Sequence, residues 1–219
     1  MWRRALWFGS VMTVCVVGSL GCGKKPAAGI DAGTFEGSVY HNKYLGFRLT
    51  VPDDWSVQDE EAKRRFRQTG EKILAGDSES VQAAVEAGHA RAVDLFTVFQ
   101  YPFGSPVPYN PSLSGIAESL AHAPGVQTGG DYLYHVRRLL EGAQLRSTFP
   151  GEVYDQTLGG VAFHVLAAEV SVAGVTVHQE YYATVRKGYA LVLTISYSND
   201  DTRDALRAIL QTATFAPMR

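Results

Sequence analysis

Hydrophobic and polar positions alternate most clearly near the start of the chain. Phe47, Leu49 and Val51 are interleaved with Arg48 and Thr50, the period of a half-buried strand. Val39-Tyr40 precedes them across His41-Asn42-Lys43, so residues 37–55 read as a β-hairpin. Pro52-Asp53-Asp54 ends it, and Trp55 is expected to anchor beneath the sheet edge. Ala92 to Tyr101 is apolar at Val93, Leu95, Phe96, Val98 and Phe99, as in a strand covered on both faces. From Val153-Tyr154 onward, apolar runs are divided by Gly159-Gly160, Ala173-Gly174 and Lys187-Gly188. Turns this short join antiparallel neighbours, so residues 153–197 predict a β-meander.

Helical spacing fills the intervals. Ser56 and Asp59 have capping-box spacing and open a helix to about Ala75, with Ala62, Phe66 and Ile73-Leu74 as its apolar stripe. A short helix follows over 79–87 and stops at Gly88. Asn110-Pro111 has the form of a helix start, an Asn cap followed by Pro, and Leu113, Ile116, Ala117, Leu120 and Ala121 continue at helical spacing. Asp131 opens another helix with Leu133, Val136, Leu139, Leu140 and Ala143 on one side. Asn199 caps a last one bearing Ala205, Leu206, Ile209 and Leu210. Two strands, helices, a strand, helices, four strands and a helix argue for an α+β fold with helices packed on a mainly antiparallel sheet.

The first residues follow a different logic. Arg3-Arg4 precede an uncharged run, residues 5–21, that ends in Gly21 before Cys22. A basic start, an apolar stretch and a small residue make a secretory signal. As a permanent span the run is about the minimum length and carries Gly9, Gly18 and Ser19. Ser19-Leu20-Gly21-Cys22 resembles the lipobox of bacterial lipoproteins, although Leu20 stands two residues before the cysteine where that family prefers three. The resemblance implies cleavage before Cys22 and acylation of its thiol and new amino terminus. An uncleaved membrane helix and an ordinary secreted protein are the alternatives. The expected organisation is a signal over 1–21, lipidated Cys22 and a flexible tether over 22–37, and one folded domain over 38–217.

Composition narrows the chemistry. The chain has 2 cysteines, Cys15 and Cys22. Cleavage and acylation together would leave no thiol for a disulfide, a nucleophile or a zinc ligand. Roughly 180 folded residues bury about 70% of their unfolded surface, enough for one core without disulfides. Lys and Arg number 20 against 22 Asp and Glu, a balance that gives no electrostatic case for nucleic acid.

Three stretches carry a wider resemblance. Tyr44-Leu45-Gly46-Phe47 with Val51-Pro52 and Trp55, then Gln156 to Phe163 around Leu158-Gly159-Gly160, then Tyr181-Tyr182 through Gly188-Tyr189 and Ser196 to Ala213-Thr214-Phe215, together resemble the PsbP/DcrB-like proteins. That resemblance implies an α/β/α sandwich on a central antiparallel sheet. It also implies a binding, assembly or stabilising role, with no shared catalytic set to carry over. Fold analogy does not by itself give function.

No G-x-S-x-G, H-E-x-x-H, P-loop or Rossmann glycine pattern is present. His178, Glu180 and Tyr182 share one face of a predicted strand, where they would either hold a metal or move a proton, or simply be the polar face opposite Val177 and Tyr181. His164 is expected to be a satisfied sheet histidine. Lys63-Arg64-Arg65-Phe66-Arg67 is basic, but Asp59, Glu60 and Glu61 stand four residues before its cations and largely neutralise it. The loop YPFGSPVPYNP, residues 101–111, has four prolines; it is either a stiff connection whose aromatics tuck into the core or a rigid loop that offers Tyr101, Phe103 and Tyr109 for partner recognition. The expectation is a non-catalytic envelope lipoprotein, without cofactor or metal. Acylated Cys22 would hold it on membrane lipid and an envelope protein would be its partner. Gly23 after the cysteine favours the outer membrane facing the periplasm if the cell is Gram-negative. A small-ligand or metal-binding protein is the alternative, and a hydrolase with an unrecognised site a further one.

Overall fold

The computed structural model describes residues 29–143, 145–172 and 175–217; Cys22 and the expected signal lie outside them. The described elements are β1 (Thr34–Glu36), β2 (Val39–Asn42), β3 (Phe47–Thr50), β4 (Ser56–Val57), α1 (Glu60–Ala75), α2 (Glu79–His89), β5 (Ala92–Phe99), β6 (Ser112–Ser119), α3 (Gly129–Gly142), β7 (Arg146–Thr148), β8 (Tyr154–Leu158), β9 (Val161–Val172), β10 (Val175–Arg186), β11 (Tyr189–Tyr197), α4 (Asp200–Gln211) and β12 (Thr214–Phe215).

The main sheet runs β4-β5-β6-β11-β10-β9-β7, with β8 also paired to β9. A smaller sheet runs β1-β2-β3-β12. Every described strand pair is antiparallel. One face of the main sheet packs on α1, α2 and α3, joining Leu74, Val85, Leu133, Val136 and Leu140 to Ile116, Leu166, Tyr181 and Val192. The other face packs on the small sheet and α4, joining Phe47, Leu49, Leu206 and Leu210 to Leu113, Phe163, Leu191 and Leu193. The fold is the expected α+β sandwich, with one outer layer part sheet and part helix.

The meander, the hairpin and four of the five expected helices are present at nearly the expected places. The fifth is not. Residues 112–119 form β6, a central strand between β5 and β11 whose eight residues are all buried. A strand covered on both faces loses its period-two signal, and Leu113, Ile116 and Ala117 then mimic helical spacing. Asn110 does not cap a helix. Its side chain accepts from Tyr101 N and donates to Tyr101 O. Packing also selects Gly115, where an added Cβ would come within 2.6 Å of Phe96 Cε1.

Smaller differences have equally local causes. Thr34–Glu36, inside the expected tether, pairs with β2 because Phe35 packs against Tyr40 and Phe96. Asp59 alone caps α1, accepting from Ala62 N, while Ser56 belongs to β4. Helix α3 starts two residues before Asp131, with Thr128 as cap and Asp131 closing the capping box.

Candidate functional site

Alternation along β10 turns Glu180 and Tyr182 toward α4, away from Val177 and Tyr181, which face the helix layer. This puts a carboxylate inside the molecule: the Glu180 side chain is 3% exposed. Four donors meet it. Tyr182 and Tyr197 donate their hydroxyls at 2.6 and 2.9 Å, and Arg207 of α4 donates through Nη2 at 2.6 Å and Nε at 3.1 Å. Burial and the neighbouring carboxylate push both tyrosines far above their ordinary range, and the hydrogen bond to Glu180 raises Arg207 as well. The hydroxyls therefore stay protonated and the guanidinium charged.

This arrangement corrects the sequence picture of a His178-Glu180-Tyr182 row open to a metal or a travelling proton. Both oxygens of Glu180 are engaged by donors, which leaves no lone pair aimed at a cation. His178 stands apart, stacked on Tyr197 with centroids 5.5 Å apart and its Nδ1 3.5 Å from Glu169. Among the described residues, no three His, Cys, Asp or Glu side chains gather to hold a metal ion. Arg207 was missed because its partner lies 27 residues away on another element; its amphipathic helix signalled only a buried stripe.

Beside this pair lies an open groove of about 270 Å³ lined by Tyr154, Gln156 and Leu158 of β8, Tyr182, and Arg207, Leu210 and Gln211 of α4. Burial, then the Glu180 charge, raises the Tyr154 phenol.

A second polar cluster sits under α1 and α2. Arg67 pairs with Asp94 and lies 3.6 Å from Glu71, which contacts His89. Asp94 and Thr97 line the same cavity although they are three residues apart. A bulge between Asp94 and Phe96 makes this possible, because Leu95 is the extra residue and the register resumes at Phe96. The enclosed space is about 30 Å³, room for one water rather than a ligand. The basic run is spread across this region: Lys63 is buried beside Glu60, Arg65 pairs with Glu61, and Arg67 points to Asp94.

His164 faces Asp155 across β8, with Nε2 3.6 Å from its carboxylate, and its ring lies against Gly130 at the start of α3.

In the proline-rich loop, Tyr101 and Phe103 are 41% and 47% exposed, and Val57 of the adjacent β4 is 45% exposed. Tyr109 is not part of that surface. It is buried and its hydroxyl bonds Ser196 of β11. Backbone bonds from Gln100 to Pro111 and from Ser105 to Pro102 brace the loop. It joins the end of the sheet where Ser112 pairs with Ser196. The amino-terminal segment enters at the other end. Gly29 lies against the Tyr44 ring, Tyr44 packs on Tyr189, and Lys187 donates to Tyr44 O at 2.7 Å. The 9 residues of β11 separate the two ends, roughly 26 Å at strand rise.

No family model and no curated protein matches the chain. Solved structures do. The chain is 19% identical to LpqN, described as involved in cell envelope biogenesis of Mycobacterium tuberculosis, with 78% of this chain and 83% of that one covered and a TM-score of 0.44. It is 15% identical to cyanobacterial PsbP (CyanoP) from Synechocystis, covering 90% and 98%, with a TM-score of 0.45. A Pseudomonas aeruginosa protein of unknown function, PA94, is 16% identical over 83% and 96%, with a TM-score of 0.39.

Proposed function

We propose that this chain is a lipid-anchored bacterial envelope module that binds a protein partner and catalyses no reaction. The observation that carries the reading is polarity along the sheet: the segment leading back to Cys22 enters at one end, and Tyr101, Phe103 and Val57 are exposed at the other. With Cys22 acylated, the 7 residues to Gly29 reach at most roughly 25 Å, so the Tyr44 end stays near the bilayer. The braced aromatic loop is carried at the end of the sheet opposite the attachment. Two or more acyl chains give a stable hold where one is marginal. Aromatic side chains on a stiff loop lose little entropy on binding. Gly23 favours the outer membrane facing the periplasm if the cell is Gram-negative. Among the described residues no helix is long and apolar enough to cross a membrane.

The test is photo-cross-linking in native membranes from a probe residue at position 103, compared with one at position 43 and with a Cys22→Ser chain. A discrete protein adduct from position 103 that Cys22→Ser loses is the expected result. Equal adducts from both positions, or none from either, would overturn the reading.

A further inference from the structure

The groove between β8 and α4 has no part in an anchored docking module, yet its chemistry is specific. Tyr154, Gln156 and Leu158 are alternate residues of β8 and so form one wall. Arg207, Leu210 and Gln211 are three and four apart on α4 and form the other. Leu158 and Leu210, 0% and 1% exposed, close the bottom of the groove, and its reachable apolar surface is the Tyr154 ring, 40% exposed. Tyr154, Gln156, Gln211 and Arg207 supply the polar rim.

Arg207 is fixed before any ligand arrives. Its Nε and Nη2 bond both oxygens of the buried Glu180, while its side chain remains 42% exposed. A guanidinium carries five N–H donors, and Glu180 takes two of them. The Tyr154 hydroxyl is itself hydrogen-bonded with Arg207 and Tyr182, so the donors that face a ligand are the remaining N–H groups of Arg207 and the two glutamine amides. Planar carboxylates fit a guanidinium edge, and an arginine already held in place loses little freedom on meeting one. Glu180 offsets the charge of Arg207, which suits a ligand with a single negative charge better than a polyanion. At about 270 Å³ the groove lies just below the range that admits drug-sized molecules.

From this geometry we infer that the groove is a binding site for a small organic acid. One carboxylate meets the outward N–H groups of Arg207, and a short aliphatic body lies along the exposed Tyr154 ring. The site does not depend on the lipid anchor or on the loop partner.

Fluorine NMR on the full-length chain in detergent tests it, with trifluorobutyrate as the probe and uncharged trifluorobutyramide as its matched control. Saturable broadening of the acid is expected, with the amide at least about tenfold weaker. Gln156→Glu puts a carboxylate where it can pair with Arg207 in the ligand's place, with Glu180 and Arg207 themselves unaltered, and it should abolish acid binding in a chain that remains folded. Tyr154→Ser, which removes the exposed ring, should weaken binding a few-fold. Equal binding of acid and amide, no saturable binding to the folded wild-type chain, or acid binding unaltered in folded Gln156→Glu would each overturn the proposal.

Discussion

Arg207 reaches from the middle of α4 to grip both carboxylate oxygens of Glu180, at 2.6 and 3.1 Å, and so fastens the carboxy-terminal helix to the centre of the main sheet. Removing the cation strands a buried carboxylate with two tyrosine hydroxyls. Arg207→Ala should therefore destabilise the fold, by less than the roughly 3–5 kcal/mol of a fully buried pair because the guanidinium is partly solvated. Glu180→Gln with Arg207→Ala should cost less than the two single changes summed. Urea midpoints of the four chains check both statements.

Close approach dominates at Gly115. A methyl group there meets the Phe96 ring, itself 2% exposed and hemmed by Tyr40 and Phe47. Gly115→Ala should cost about 1–3 kcal/mol. Phe96→Leu in the same chain should recover part of the loss, a sign that crowding rather than strand propensity is responsible.

The buried and half-exposed rings of the loop should separate by recognition rather than by stability. Tyr109→Phe leaves the buried Ser196 hydroxyl without its Tyr109 partner and should cost about 1–2 kcal/mol. Phe103→Ser, at a half-exposed ring 6.0 Å from that of Phe99, should cost about 0.5–1.5 kcal/mol. An adduct from a photo-probe at position 57, on the same surface, that is lost in the second chain but kept in the first would assign recognition to the exposed ring.

His89 should give the fold an acid limb. Burial holds its imidazole below the ordinary 6.5, against the opposing pull of Glu71 and Asp94 and with the help of Arg67. The unfolded chain thus takes up a proton first as pH falls below 6.5. Stability from this site is complete above that pH and declines below it, until the folded imidazole is also protonated. Melting temperatures compared at about pH 7.5 and about pH 5.5 should show the decline, and His89→Gln should reduce it.

The sequence by itself determined the parts governed by local rules. Gly159-Gly160 and Lys187-Gly188 dictated where the meander turns, since positive φ at Gly159, Gly160 and Gly188 is open to glycine. Asp59, Ser78 and Asn199 placed the starts of three helices through short-range caps. Alternation in Phe47, Leu49 and Val51 showed a face because only that face is buried. Tertiary structure decided the rest. Residues 112–119 became a strand because β5 and β11 supply hydrogen bonds on both sides, and burial on both faces erased the pattern that would have announced it. Tyr109 went inward because Ser196, 87 residues away, waits beneath it. Glu180 became half of a buried ion pair only when α4 folded back across β10. No spacing within β10 encodes a partner on α4; the sheet and the helix must first meet.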